Sequence, residues 1–333
     1  TAPQPGPSEV ATVAIVGAGM SGLTAAEQLT SLGHSVTVLD KGRSVGGRMA
    51  TRRIGGATLD HGAQFFTVRT PEFAATVARA ENAGAVHEWC RGFGARPDGH
   101  PRYAGSTGMN GLAKHLAAGL DVAVGIEIES IGVDTGRWSL FHGNGSIDAD
   151  ALVLTAPVPQ SLRLLDAGRV PLDPATRARL DRIAYHPTLA VLAVLEGPSA
   201  MVPPGGAQLD DGPFSFVADN QHKGISAVPA LTLHADHGLS ADRWSDEPST
   251  VLDDLLDRAG HWIGSARVVE AQLKRWRFAK PAQPADHALE ATLVRDRPLV
   301  VAGDAFAGAA VEGAFRSGQA AAAHLASMLT PPA

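Results

Sequence analysis

Three glycines stand in the pattern GxGxxG within Gly17-Ala18-Gly19-Met20-Ser21-Gly22. Between a strand and a helix, that spacing is chemistry for a dinucleotide. The first glycine permits the tight turn, the second lets the backbone approach a pyrophosphate, and the third lets the helix pack close to the strand. The helix N-terminus then turns unpaired N–H groups and the positive end of its dipole toward the phosphates. Asp40, followed by Lys41, stands eighteen positions after Gly22, close to the spacing of a carboxylate that takes ribose hydroxyls. A carboxylate there favours a free 2′-hydroxyl over a 2′-phosphate, which suits either FAD or NAD. Gly46-Gly47-Arg48-Met49 adds a guanidinium able to pair with a phosphate through two hydrogen bonds. Leu59-Asp60-His61-Gly62-Ala63-Gln64-Phe65 follows, and Gly303-Asp304 and Val311-Glu312-Gly313-Ala314 stand near the other end of the chain. Contacts drawn from both ends of the chain suit an elongated FAD better than a bare NAD half-site.

These residues need elements to hold them. Residues 10–16 form a short apolar run rich in β-branched side chains, the pattern of a buried parallel strand. Residues 23–32 have helical composition and end at Gly33, a natural residue just beyond a helix C-terminus. Residues 36–39 read as a second strand that delivers Asp40, completing one βαβ unit. Downstream the sequence predicts helices over 71–82, 109–120 and 311–329, strands over 122–131, 151–154 and 299–302, and a Gly/Pro-rich loop over 91–102. From 162 to 277 the pattern shifts to strand-like runs at 189–195, 214–217 and 230–234, with one amphipathic helix over 249–263. The expected fold is α/β: a Rossmann-like doubly wound dinucleotide domain from residues 10–70, 106–160 and 288–333, and an α+β substrate domain with a mainly antiparallel sheet from residues 71–105 and 161–287. Residues 1–9 read as a loose tail.

Composition narrows the function classes. The 333 residues are 44% hydrophobic and 19% charged, which is globular composition. The net charge of −6 lacks the basic footprint of a nucleic-acid binder and the polybasic patch of a membrane-surface protein. Cys90 is the only cysteine, so an internal disulfide, a CxxC redox pair and a thiolate zinc cluster are excluded, and no metal is expected. No apolar run reaches the roughly 18 residues of a membrane span, and the first residues carry no apolar secretory core. The expectation is a cytoplasmic protein; its oligomeric state is not legible.

Taken together, Val16 to Gly22, Gly46-Gly47-Arg48-Met49, Gly62-Ala63-Gln64-Phe65, Ala156-Pro157-Val158-Pro159 and Gly303-Asp304 resemble the flavin-containing amine oxidase superfamily nearly end to end. Phe216-Val217-Ala218-Asp219-Asn220, Leu231-Thr232-Leu233-His234 and Arg275-Trp276-Arg277-Phe278-Ala279 are similar to the renalase group within it. The resemblance implies FAD on the doubly wound domain and a sheet-bearing substrate domain. It implies that Gly17, Ala18, Gly19, Met20, Ser21, Gly22 and Asp40 hold the ADP half and that Arg48 meets phosphate. It further implies that Ile128 touches adenine through its backbone, that Asp304 binds the ribityl–phosphate region, that Gly313-Ala314 presents a helix N-terminus to the flavin, and that Gln64 and Phe65 lie near its ring. Covalent members of the superfamily attach FAD through a cysteine near the C-terminus; Cys90 is far from that segment, so the FAD is expected to be non-covalent. Paired flavin-flanking tyrosines are also missing, since Tyr103 and Tyr185 lie outside the matching segments.

The renalase-like chemistry so implied is hydride transfer from 2- or 6-dihydro isomers of NAD(P) to flavin N5, followed by reduction of O2 to H2O2. The flavin carries the redox chemistry and the protein supplies orientation and electrostatics. A dihydropyridine already donates hydride readily, which agrees with a sequence that shows no catalytic dyad or triad. Gln64, Phe65, Asn220, His234 and Trp276 are the candidate substrate residues: Trp276 to stack on a nicotinamide, His234 or Asn220 to bond its carboxamide. Arg69, Arg91, Arg96 and Arg102 could meet a substrate pyrophosphate, although each alone reads more simply as a solvated arginine. The alternatives are an amine oxidase or other small-molecule FAD oxidase and, from another class, a non-catalytic flavin-binding module. A pyridine-nucleotide disulfide reductase is disfavoured by the absence of a second GxGxxG and of a partner for Cys90.

Overall fold

A computed structural model describes residues 10–94, 98–143, 145–283, 291–294 and 297–330. The tail 1–9 and Arg96 therefore lie outside the described residues. The chain divides into two compact units, one from Thr1–Gly47, Leu116–Ala184 and Gln283–Ala333, the other from Arg48–His115 and Tyr185–Ala282.

The first unit is built on a six-stranded sheet. Its strand order is Ala291–Val294, Leu299–Val301, Ala151–Leu154, Thr12–Val16, Ser35–Asp40, Asp121–Val124. All neighbours are parallel except the first pair. Central position explains the unbroken apolar runs: Ala14, Ile15, Val38, Leu152 and Val300 are each 0–1% exposed, as expected of strands covered on both faces. Helices Met20–Ser31 and Val311–Leu329 belong to this unit. They approach so closely that a Cβ on Gly318 would collide with the Ser21 carbonyl oxygen. A separate antiparallel sheet, Ile128–Asp134, Arg137–His142 and Gly145–Ala149, completes the strands of this unit.

The second unit is built on a five-stranded antiparallel sheet, in the order Gly206–Gln208, Phe214–Asp219, Ala230–Ala235, Tyr185–Glu196, Arg267–Pro281. One face of it packs with Val251, Leu255 and Ile263 from the helices Pro248–Arg258 and Gly260–Ile263. Leu192, Val194 and Ala230 pack instead with Ile54, Ala57 and Leu59 of the hairpin Thr51–Ile54/Ala57–Asp60. The helix Pro71–Asn82 and the strand pair Val86–Cys90/Arg102–Gly105 belong here too.

The α/β architecture with a parallel and an antiparallel sheet is as expected, but several boundaries differ. Residues 48–70 and 106–115 fold with the second unit and 161–184 with the first, because hairpin pairing and core packing outweigh nearness in sequence. The strand expected over 122–131 is two strands, broken at Gly125, whose φ is +75° and whose N–H donates to Gly42 O. The helix expected over 249–263 is likewise two helices that meet at Ala259.

Candidate functional site

In the first unit, strand Thr12–Val16 ends directly at Gly17. Gly17 has a φ of +114° and sits where a Cβ would collide with Thr155 Oγ1, so both conformation and space call for glycine. Gly19 is the N-cap of helix Met20–Ser31 and provides no side-chain cap. A Cβ built on Gly19 would meet nothing within 4 Å, so there is room against the backbone at the start of the helix. Gly22 is tight instead: its Cβ would strike the Gly17 carbonyl oxygen. Ser21 is 4% exposed, yet its Oγ has no partner among the described residues. A bare cradle with an orphaned hydroxyl beside it fits an anionic dinucleotide that supplies acceptors.

Asp40 does more than the sequence indicates. One carboxylate oxygen accepts from Ala18 N–H at 2.7 Å and the other from Gly42 N–H at 2.6 Å, so it braces the glycine turn while each oxygen keeps a further lone pair. Gly46 N–H donates to Ala18 O at 2.8 Å, and Gly47, at φ +51°, lies against Gly19. Lys41 is exposed and pairs at 3.8 Å with Glu127. Thr155, absent from the sequence-level candidates, accompanies Ala156 and Pro157: its hydroxyl lies 3.0 Å from Gly17 O and 3.1 Å from Val16 O. Ala302 N–H donates to Leu154 O, so the Gly303-Asp304 turn stands beside that threonine. Asp304 is 9% exposed and opens the short helix Asp304–Ala307. Ile128, 6% exposed, begins its strand, and Gly313-Ala314 lies in the first turn of Val311–Leu329. The parallel sheet thus gathers segments that span almost the whole sequence.

In the second unit, Arg48 turns its guanidinium toward Phe278 O and Ala279 O, each at 3.4 Å, and lies 5.9 Å from the Tyr185 ring centroid. Met49 is buried. Ala63 N–H donates to Arg48 O at 2.8 Å, and a Cβ on Gly62 would collide with that same oxygen. The segment leading to Gln64 is therefore fixed by backbone contact.

Asp60 and Lys223 form a fully buried ion pair at 2.7 Å. Asp60 also accepts from Thr51 Oγ1 at 2.6 Å and Met109 N–H at 2.8 Å. Burial pulls the Lys223 ammonium below the ordinary lysine pKa, while Asp60 opposes that shift. The Asp60 carbonyl accepts from Thr232 Oγ1 at 2.9 Å and Gln64 Nε2 at 2.8 Å. Around it, Gln64 Nε2 lies 3.4 Å from His234 Nε2, and His61 stacks on Trp276 with ring centroids 5.2 Å apart. Trp276 Nε1 donates to His61 O at 2.7 Å. Burial lowers the pKa of His61 to about 4, helped by Lys274. It also lowers that of His234, half-buried at the end of its strand, to about 4. Both imidazoles are neutral at pH 7.

Of the sequence candidates, Gln64, His234 and Trp276 meet in this cluster, the last through His61. Asn220 does not offer its amide: it is 0% exposed, donates to Ala230 O and Thr232 Oγ1, and accepts from Asp60 N–H. Phe65 joins Phe93 and Phe216 in an aromatic group. Arg102 lies over Phe65 and Phe93 and is paired through both terminal nitrogens with Asp98; Arg91 pairs with Glu88 at the surface. Phe93 and Arg102 also line a cavity of about 660 Å³ with Met201, Pro204, Gly206 and Trp262. Asp60, Lys223 and His61 carry no sequence signal as a group. Only the fold brings Lys223 to Asp60.

The match to known families agrees with the cradle. The profile of the NAD(P)-binding Rossmann-like domain matches residues 15–80, and that of the flavin containing amine oxidoreductases matches residues 73–326. The chain belongs to the flavin-containing amine oxidoreductase family. FAD is its cofactor, typically non-covalent in that family. Solved structures share the fold. A putrescine oxidase carrying two substitutions superposes with a TM-score of 0.71 at 16% identity, covering 95% of this chain and 99% of that one. Cyclohexylamine oxidase from Brevibacterium oxydans IH-35A gives 0.70 at 16%, covering 96% and 99%. Among curated sequences, a 4,4'-diapophytoene desaturase of Staphylococcus haemolyticus is 48% identical over 50 residues, which is 15% of this chain and 10% of that protein. No described helix is long and apolar enough to cross a membrane.

Proposed function

We propose that this family member is a renalase-like oxidase that takes hydride from 2- or 6-dihydro isomers of NAD(P) and passes the electrons to O2, giving H2O2. The observation that carries the reading is the charge state of the Gln64 cluster. His61 and His234 are neutral at working pH. The carboxylate of the cluster, Asp60, is already bonded to Lys223, Thr51 and Met109. A protonated amine brought there would lose hydration without gaining a counter-ion, which is costly. An uncharged dihydropyridine carries no such penalty and needs no general base.

Residue roles follow from the two sites. In the first unit, the N–H groups after Gly19 and the Ser21 hydroxyl would bond the phosphates. Asp40 would hold the turn and offer a lone pair to ribose, and Thr155 with Gly303-Asp304 would flank the same ligand. In the second unit, Gln64 and His234 would orient the substrate ring, with the stacked rings of His61 and Trp276 as a wall. Bound FAD supplies the hydride acceptor and the route to O2.

The decisive experiment is anaerobic rapid mixing of the holoenzyme with a panel of dihydronicotinamide isomers and primary amines. Flavin absorbance should bleach with the 2- or 6-dihydro isomers, and H2O2 should form when O2 is admitted. Bleaching by a primary amine alone would make the protein an amine oxidase. No bleaching by any donor would leave a flavin-binding module.

A further inference from the structure

The Gln64 carboxamide can be assigned atom by atom. Its nitrogen lies 2.8 Å from Asp60 O and 3.0 Å from Gly62 O. Exchanging nitrogen and oxygen would set an oxygen against two carbonyl oxygens, so the hydrogen-bond network fixes the orientation. Both amide hydrogens are thereby committed, and the 3.4 Å approach to His234 Nε2 has no hydrogen of its own. The other end of the amide is different. Gln64 is 5% exposed, and its Oε1 has no partner among the described residues. Buried acceptors in that state are rare and call for a donor.

The acceptor is also held rigidly. Asp60, whose carbonyl takes one Gln64 hydrogen, is anchored by Lys223, Thr51 and Met109 through its carboxylate and by Thr232 through its carbonyl. Asn220, the neighbouring amide, is fully hydrogen-bonded within the fold and cannot compete for a ligand.

We infer that Gln64 Oε1 is the specificity-determining acceptor of the site: it takes an N–H of a primary carboxamide on the substrate ring, so that the enzyme accepts ring amides and rejects the corresponding ring carboxylates. The inference rests on the dihydropyridine reading above and sharpens it. A carboxylate at the same place has no hydrogen to give and sets negative oxygen against Oε1. Sites built around such a polar partner reject analogues that lack the matching group far more strongly than apolar pockets do.

The test compares the 6-dihydro isomers of nicotinamide mononucleotide and nicotinic acid mononucleotide with wild-type holoenzyme. Anaerobic rapid mixing separates Kd from the limiting rate of flavin reduction, and calorimetric titration with plain nicotinamide and nicotinate gives the ranking without turnover. The acid is expected to bind about 10- to 100-fold more weakly than the amide, at low and high salt alike. In Gln64→Met the gap should close to within about threefold, with both Kd values read per flavin bound. Equal Kd values in the wild type, a gap abolished by salt, or a gap preserved in Gln64→Met would each overturn the assignment. Should Gln64→Met fail to fold, Gln64→Leu takes its place, and a gap preserved there, or equal Kd values in the wild type, overturns the assignment in the same way. If neither dihydropyridine bleaches the flavin, the function reading falls and this inference with it, a result distinct from equal bleaching by both.

Discussion

At the scale of single residues, the second unit buries charge and imidazole where the sequence gives little warning. His234 has a pKa near 4 because burial disfavours its charged form. Between about pH 4 and 6.5 the unfolded chain binds a proton there and the folded chain does not. Stability therefore rises with pH across that window and is lost as pH falls through it. The contribution is roughly 3 kcal/mol at the acid end, and thermal melts across pH 4–7 should show His234→Gln flattening the acid limb. Lys223 and Asp60 give a second expectation. Removing one partner strands a buried charge, so Lys223→Met should cost about 3–5 kcal/mol in denaturant unfolding of the holoenzyme. The glycine pattern and Asp40 were visible in sequence because local spacing encodes a local turn. The role of Asp60 was not, because Lys223 lies 163 positions away and only sheet pairing brings it there.

Among the elements, legibility followed periodicity. The helix Pro71–Asn82 has the limits that the sequence predicts, since Pro71 marks its first turn and Phe73, Thr76, Val77 and Ala80 form one buried stripe. The strand Arg267–Pro281 was not delimited as an element, only quoted in part through Trp276. It is the edge of its sheet, mostly half-buried along its length, so its sequence shows neither a clean alternation nor an apolar run. The turn between strand Thr12–Val16 and helix Met20–Ser31 yields a direct test. Gly22→Val would push its side chain into the Gly17 carbonyl and spread the cradle. The purified variant should carry far less flavin per protein than the wild type, read from the visible absorbance after desalting, while far-UV circular dichroism stays close to wild type.

For the molecule as a whole, FAD is expected to couple to stability. A ligand that binds only the folded chain adds about 2.7 kcal/mol at a concentration 100 times its Kd. The protein stripped of flavin should melt lower than the holoenzyme and recover in proportion to added FAD. Acid precipitation should release the flavin into the supernatant, as expected of a chain whose one cysteine, Cys90, ends a strand of the second unit. Flavin remaining with the pellet would contradict non-covalent binding. Residues 48–70 look continuous with the glycine-rich cradle in sequence, and yet they contain the Thr51–Asp60 hairpin, whose pairing no local spacing announces.

The division of the chain has a consequence for how it is made. The polypeptide passes from one unit to the other at 47/48, 115/116, 184/185 and 282/283, so no single cut frees either half. Strand Ala151–Leu154 receives its outer neighbour Leu299–Val301 only after the whole stretch between them, residues 155–298, has been synthesised. At about 5–20 residues per second, an apolar sheet edge waits on the order of 10 s for its partner. Nascent chains of this protein should therefore depend on chaperones that shield exposed strands, and truncation before residue 299 should yield insoluble product, not a smaller soluble domain.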